Sequence, residues 1–305
     1  MVFYTGKLRL KPLVIFSLLL LLIFKATTAL GKLPAAPAPA IWQVTGGQGA
    51  AYFLTGLNVG NDDFYPLNPK IEALYAASDN LVVSVDLTKI EPENLNTSIL
   101  EAALYPEGQT IADHLSPAEI QRLTQVLTGY GLVFEQLVQF RPWFLLVTIE
   151  AIHQQTMGYF PDQSLEIYFL NKTDGKRIIG LESPLEQATL LAQFPPAIEK
   201  MLLLETLNSD LAKETEDLVT AWWTGDLEKL EALIFAHQND PAYFNYYDQV
   251  YFRRNRRMVE KIEELLATGG SYFLLLPCGH FLGEQGIIAL LQAKGCTVER
   301  LSLPN

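Results

Sequence analysis

The residues that could do chemistry sit where apolar runs end. In Ser271 to Gly286, SYFLLLPCGHFLGEQG, an apolar run stops at Pro277-Cys278-Gly279-His280, and a glycine-punctuated helix start follows. A buried strand that delivers a histidine at its end is where open α/β sheets place a metal ligand or a proton carrier. Near the front of the chain, Ala51 to Gly60 (AYFLTGLNVG) repeats the opening, with Asn58 in roughly the role of His280. Two sheet-ending loops facing one pocket would follow. In Asn80 to Leu87 (NLVVSVDL) the strand alternation puts Ser84 and Asp86 on one face, and the short apolar run Lys176 to Leu181 ends at Glu182. Arg253, Arg254, Arg256 and Arg257 open a helix, and neighbours ~100° apart cannot all face one pocket, so one or two of them do. Cys278 offers a thiol two residues before an imidazole, which a helix start could activate as a nucleophile.

The elements that must position these side chains are legible around them. Ile41 to Val44 and Ala51 to Leu54 flank Gly46-Gly47-Gln48-Gly49 as a β-hairpin. Lys70 to Ala77 reads as a short helix. Ser116-Pro117-Ala118-Glu119 is a capping box that starts a helix running to about Thr128. A helical region from Phe134 breaks at Arg141-Pro142-Trp143 and resumes over Phe144 to Gln154. Ser183 caps a helix with Glu186 at its third position, the long helical stretch from Pro196 to His237 breaks at Gly225-Asp226, and Glu284 to Lys294 forms a helix before a strand at Thr297 to Leu301. The expected fold is α/β, with a mixed sheet, strands near residues 52, 83, 179 and 274, flanking helices, and a large helical insertion between 100 and 170. Cys278 and Cys296 fall at opposite ends of a strand-helix-strand unit, so both are expected as free thiols.

Residues 1–29 read as a signal peptide. Lys7, Arg9 and Lys11 form a basic start, Leu13 to Phe24 a twelve-residue apolar core, and Ala26-Thr27-Thr28-Ala29 a small-residue cleavage site. The core is short of the ~20 residues a spanning helix needs, although an uncleaved, tilted anchor is the alternative. Residues 30–40 form an Ala/Pro-rich linker and 41–305 a single domain. Cleavage removes Lys7, Arg9, Lys11 and Lys25, leaving 18 basic against 34 acidic residues and a net charge of −16. That balance argues against nucleic acid and anionic membrane surfaces as partners. The expected location is periplasmic or secreted, with no stable transmembrane span in the mature chain. An unidentified peptide or small molecule is the expected ligand.

Taken in order, the landmarks resemble the TraB/GumN family, bacterial relatives of the TIKI metalloproteases. They are Trp42 in the hairpin, Asn58-Val59-Gly60, LVVSVD, LSPAEIQRL, RPW, Glu182 with Glu186-Gln187, WWTGD at Trp222 to Asp226, RRNRRM at Arg253 to Met258, and CGHFLGEQG. The resemblance covers nearly all of the mature chain. It implies a metal-dependent hydrolase fold, similar to erythromycin-esterase and ChaN-like proteins, whose site is built from two G-x-x-H loops and a strand glutamate. Carried over, the second histidine is His280, the helix arginine is Arg254 with Asn255, and the glutamate after the central strand is Glu182. The departures are Asn58 for the first histidine, Thr55 and Pro277 for the loop glycines, and Ser84 for the strand glutamate.

A divalent ion in a catalytic site is usually held by at least three protein ligands drawn from imidazole and carboxylate. Replacing imidazole by amide and carboxylate by hydroxyl removes the charge that offsets dehydrating the ion. The expected metal set is therefore Asn58, Asp86 and His280, with a weakly bound manganese, cobalt or zinc or no cofactor at all. Glu182, Arg254 and His280 are the candidate catalytic groups: base or supporting carboxylate, stabiliser of negative charge, and ligand. The reading these replacements favour is an exported pseudoenzyme or binding protein that keeps a hydrolase cleft. The alternative is an active metal-dependent hydrolase or peptidase with altered ligands.

Overall fold

The computed structural model describes residues 36–303 except 90, 91 and 174; the signal-peptide expectation lies outside the described residues. Six strands form one mixed sheet: β1 (Ile41–Gly46), β2 (Gly49–Gly56), β3 (Asn80–Val85), β4 (Arg177–Glu182), β5 (Gly270–Pro277) and β6 (Thr297–Arg300), in the order β4-β3-β5-β2-β1-β6. Strands β4, β3, β5 and β2 are mutually parallel, with β4 at the sheet edge, and β1 runs antiparallel between β2 and β6. The continuous apolar runs of β3 and β5 follow from burial on both faces.

Helices cover those faces. One face packs Leu54, Leu81, Val83, Phe273 and Leu275 against helix α1 (Pro69–Ala76) and Trp222. An insertion after β3 supplies α2 (Pro92–Ala103), α3 (Pro117–Gly129) and α4 (Pro142–Thr156). With α5 (Pro196–Asn208), α3 and α4 enclose a core of their own around Leu123, Leu127, Leu145, Ile149 and Leu203. Ser116 and Glu119 make the reciprocal capping box the sequence predicts, and Pro142 starts α4 at a position that needs no N–H donor. Helix α6 (Leu211–Thr224), which carries Trp222, ends at Gly225 in the left-handed region (φ 66°). On the other sheet face lie α7 (Arg253–Thr268) and α8 (Ile287–Ala293), burying Met258, Val259, Ile262, Ile287 and Leu291 against Phe53, Val82 and Leu274.

Four expectations change in detail. The helical stretch from Pro196 breaks once more, at Ser209-Asp210, where Asp210 accepts from the Lys213 amide and caps α6. The last helix starts at Ile287 rather than Glu284, because a 3₁₀ turn over Cys278–Phe281 and a left-handed Gly283 (φ 71°) consume the intervening chain. The echo between Ala51 to Gly60 and Ser271 to Gly286 is not a structural repeat: Tyr52 pairs with Phe273, so Tyr52 and Tyr272 fall on opposite faces of the sheet. Part of the expected linker is docked: Pro37 and Pro39 are buried, the Ala38 amide donates to Trp223 O (2.7 Å), and Ala40 O accepts from Thr55.

Candidate functional site

Sheet register brings the chemistry-bearing loops to one edge. Gly56 pairs with Pro277 and Val85 with Glu182, while Val83 pairs with Leu275, so the carboxyl ends of β2, β5, β3 and β4 lie in a row. Asn58 follows β2 by two residues, Asp86 follows β3 by one, Glu182 closes β4, and His280 follows β5 by three. Strand ends of a parallel sheet are the usual place for a ligand crevice. Close approaches make this packing glycine-dependent. A Cβ on Gly180 would lie 2.7 Å from the Asp86 nitrogen, and one on Gly60 would strike the Gln163 carbonyl at 2.1 Å. Gly60 also bridges to Phe160 in both directions, which ties the Asn58 loop to the chain following α4.

His280 is buried, with 2% of its surface exposed. Its Nδ1 lies 2.6 Å from Asn255 Oδ1, while Asn255 Nδ2 donates to Gln285 O (2.8 Å). Because the amide nitrogen is already spent as a donor, Oδ1 is the acceptor and the imidazole carries its proton on Nδ1. Nε2 then carries the lone pair, with no hydrogen-bond partner among the described residues. Burial, and then the charge of Arg254, holds the imidazole pKa well below its ordinary value.

Arg254 is the one arginine of its run that turns inward. Its Nε and Nη2 grip the two oxygens of Glu182 at 2.7 and 2.5 Å, and Nη1 donates to Val250 O (2.7 Å). Both side chains are below 10% exposed, at 6% and 9%. Arg253 and Arg256 instead share the exposed side of Asp248. Preceding α7, residues Asp248–Phe252 form a π-helical turn, a local widening of the helix that often marks functional sites. It places Tyr251 edge-on to His280, with ring centroids 5.5 Å apart. Gly279 accommodates that ring: a Cβ there would sit 2.5 Å from Tyr251 Cε1.

Asp86 does not point into an open coordination site. Oδ1 accepts from the Thr88 amide (3.1 Å) and hydroxyl (2.6 Å), and Oδ2 pairs with Lys89 (2.7 Å). Burial pushes its carboxyl up, but the bonds from Lys89 and Thr88 outweigh that and leave it below the ordinary carboxylate range. Asn58 is exposed, and Ser84 is a buried hydroxyl without charge. The donors therefore do not fit a catalytic metal centre: one free imidazole nitrogen, two carboxylates already matched by cations, and neutral groups elsewhere. Among the described residues no cluster of three histidine, cysteine, aspartate or glutamate side chains is placed to hold a metal ion.

Cys278 is unbridged and buried, and burial pushes its thiol up to about 12. A thiol kept protonated is a small apolar residue and not an activated nucleophile. Cys296 is also unbridged and lies against Gly46, at the other end of the sheet. The remaining histidines serve local contacts: His114 stacks on Tyr105, His153 Nδ1 meets Tyr130 (2.9 Å), and His237 pairs with Glu205 (2.8 Å).

The model of the TraB/PrgY/gumN family matches residues 40–300, nearly the whole described chain. The chain belongs to this family. Among its relatives, an uncharacterised protein of Treponema pallidum is 22% identical over 272 residues, covering 83% of this chain and 80% of its own length. A metalloprotease TIKI homologue of Amphimedon queenslandica is 25% identical, covering 64% of this chain and 42% of its own length. Metalloprotease TIKI2 of Xenopus tropicalis is 25% identical, covering 78% and 54%. The chain thus spans about half the length of the TIKI relatives, and no solved structure matches it. Within this TraB-family chain, the side chains that sequence reasoning missed are Tyr251, Thr88 and Lys89. Lys89, three residues after Asp86, is the one with a visible signal, since opposite charges at that spacing meet across one turn.

Proposed function

We propose that this TraB-family protein binds a ligand at the carboxyl edge of its sheet and does not run metal-dependent hydrolysis there. The observation that carries this reading is that each carboxylate at the edge already faces a cation of the chain, Glu182 the buried Arg254 and Asp86 the exposed Lys89. A hydrolytic metal site would need at least one of them free. Glu182, Arg254 and His280 then act as a scaffold that shapes the edge, with Asn255 orienting His280. The same proposal includes export to the periplasm or the medium, for which the basic start and apolar core of residues 7–24 speak, and a peptide or small molecule as ligand. Among the described residues no helix is long and apolar enough to cross a membrane.

The free Nε2 of His280 favours a second reading, an active hydrolase holding manganese, cobalt or zinc with Asn58 and Asp86. It is also what the metalloprotease names of two relatives suggest. That reading requires Asp86 to leave Lys89. Calorimetric titration of the three ions into metal-stripped protein and into His280→Ala separates the two. The binding reading expects the same heats from both proteins. A saturating heat that His280→Ala abolishes would establish the hydrolase reading instead.

A further inference from the structure

The two outer strands of the sheet are protected unequally. β6 is four residues long, and Thr297, Glu299 and Arg300 are exposed along it. A short, charged strand is one way sheets keep other chains from pairing with their rim. β4 has six residues, and its middle, Ile178-Ile179-Gly180-Leu181, carries no charge and no proline. Beside it β3 is buried from Leu81 to Val85, yet Ile178, Ile179 and Gly180 are only half-buried. Among the described residues no strand pairs with the outer side of β4. Its backbone bonds only to β3, apart from Leu181 O, which accepts from the Lys261 ammonium (2.6 Å).

We propose that an extended segment of a peptide ligand adds to this open side of β4 as a seventh strand, recognised through its backbone and through an acidic side chain facing Arg257. The inference deepens the binding reading above: it rests on that reading and takes the peptide of its two ligand classes.

Two observations choose this occupant. The first is position: β4 closes on Glu182, so a strand laid along it leads to the carboxyl edge where Glu182 meets Arg254. A small molecule has no row of donors and acceptors to match an open strand, whereas an extended peptide does. The second is charge. Ile179 and Leu181 pack with helix α7, and strand alternation puts Arg177 on that same face. Arg177, Arg257 and Lys261 are exposed on this side, and none has a carboxylate within ion-pairing distance among the described residues. Glu186 lies within electrostatic reach of Arg257 and Lys261, but its carboxyl is engaged with Ser183 at a helix start. Glu264, three residues after Lys261, is exposed on the same flank. Three cations against two carboxylates is a local surplus on a chain of net charge −12, and it fits an acidic strand better than a basic one.

Hydrogen exchange read by mass spectrometry over residues 176–183 of the full mature chain tests this. The probes are acetyl-Val-Asp-Val-Asp-Val amide, its counterpart with lysine for aspartate, and the acidic peptide N-methylated at one or the other of two adjacent residues. Neighbouring amides of a strand point to opposite sides, so one of the two methylations must fall on the side facing β4. The expected result is exchange slowed saturably by the acidic peptide, with the lysine peptide binding about threefold more weakly and one methylated peptide about fivefold more weakly. Arg257→Glu, at an exposed position, should remove the preference for acid. Unslowed exchange over 176–183, full affinity in both methylated peptides, or a preference that survives Arg257→Glu would each overturn the proposal. So would a dimer, seen by sedimentation, in which those residues are already slow before any peptide is added. A zinc titration separates this from the reading beneath it: a zinc heat lost in His280→Ala would remove the metal-free reading while leaving slowed exchange along β4 in place.

Discussion

Two arginine–glutamate pairs, Arg141–Glu199 and Arg254–Glu182, serve different ends. In the helical insertion, Arg141 bonds Glu199 and donates to Ala102 O (3.0 Å) and Ala192 O (2.9 Å), closing three segments around Trp143. At the sheet edge, Arg254 bonds Glu182 and Val250 O in much the same way. Each guanidinium makes three hydrogen bonds to protein acceptors and so braces the segments around it. The difference lies in the neighbours: near Arg254 stand the buried His280 imidazole and, edge-on to it, Tyr251. One ion pair thus braces a helical core, and the other braces the strand ends where titratable groups collect.

That contrast is most severely tested by breaking the staple in the insertion. Glu199 is 1% exposed, and Glu199→Ala leaves Arg141 without its partner. The expected cost is about 3 kcal/mol in denaturant unfolding, with the His280 ¹⁵N shifts unchanged. A changed His280 spectrum would show that the two centres are not independent. Glu182→Gln is expected to cost somewhat less, about 2 kcal/mol, and to do something Glu199→Ala does not: leave the Arg254 charge unpaired at the edge and create binding of acetate, read as saturable shifts of the His280 ¹⁵N resonances. Failure to gain anion binding would mean that Arg254 is sealed from the edge.

A smaller effect is expected from Asn255→Ala, about 1 kcal/mol of stability, with the ¹⁵N spectrum of His280 moving from one tautomer to a mixture. The smallest concerns Glu166, half-buried on the far side of the sheet, whose carboxyl burial pushes up to about 7 from an ordinary 4.5. The folded chain then holds that proton more tightly than the unfolded one. Its contribution to stability is present below pH 4.5 and is lost as pH rises towards 7. Melting temperatures at pH 5 and 7.5 should differ less in Glu166→Gln than in the parent; an unaltered difference would show that Glu166 does not titrate in this window.

The sheet was readable because strands buried on both faces leave uninterrupted apolar runs, and the helix starts were readable because Ser116-Pro117 and Ser183-Pro184 carry local capping chemistry. The gathering of Asn58, Asp86, Glu182 and His280 at one edge followed from the same reading, since each ends or follows a strand. What each side chain does there was not readable. Glu182 finds Arg254 across 72 residues, and nothing local to either names the other. The π-helical turn that lifts Tyr251 onto His280 leaves no periodicity of its own in a run already dense with aromatics. The docking of Pro37 and Pro39 was hidden for a similar reason: composition describes what a segment can do alone, and here Trp223 O supplies the partner.

The pairing of β1 with β6 has a mechanical consequence. Trp42 lies opposite Arg300 and Leu301 N donates to Ile41 O (2.9 Å), so the chain enters the sheet and leaves it at the same end of one antiparallel ladder. A pull on residues 40 and 301 would load that ladder as a zipper, one hydrogen bond at a time, instead of shearing all of its bonds together. Stretched between two attachment points, the domain would yield first by peeling β6 away. Because β6 is an edge strand, the parallel core that positions His280 and Arg254 would remain standing after that first step.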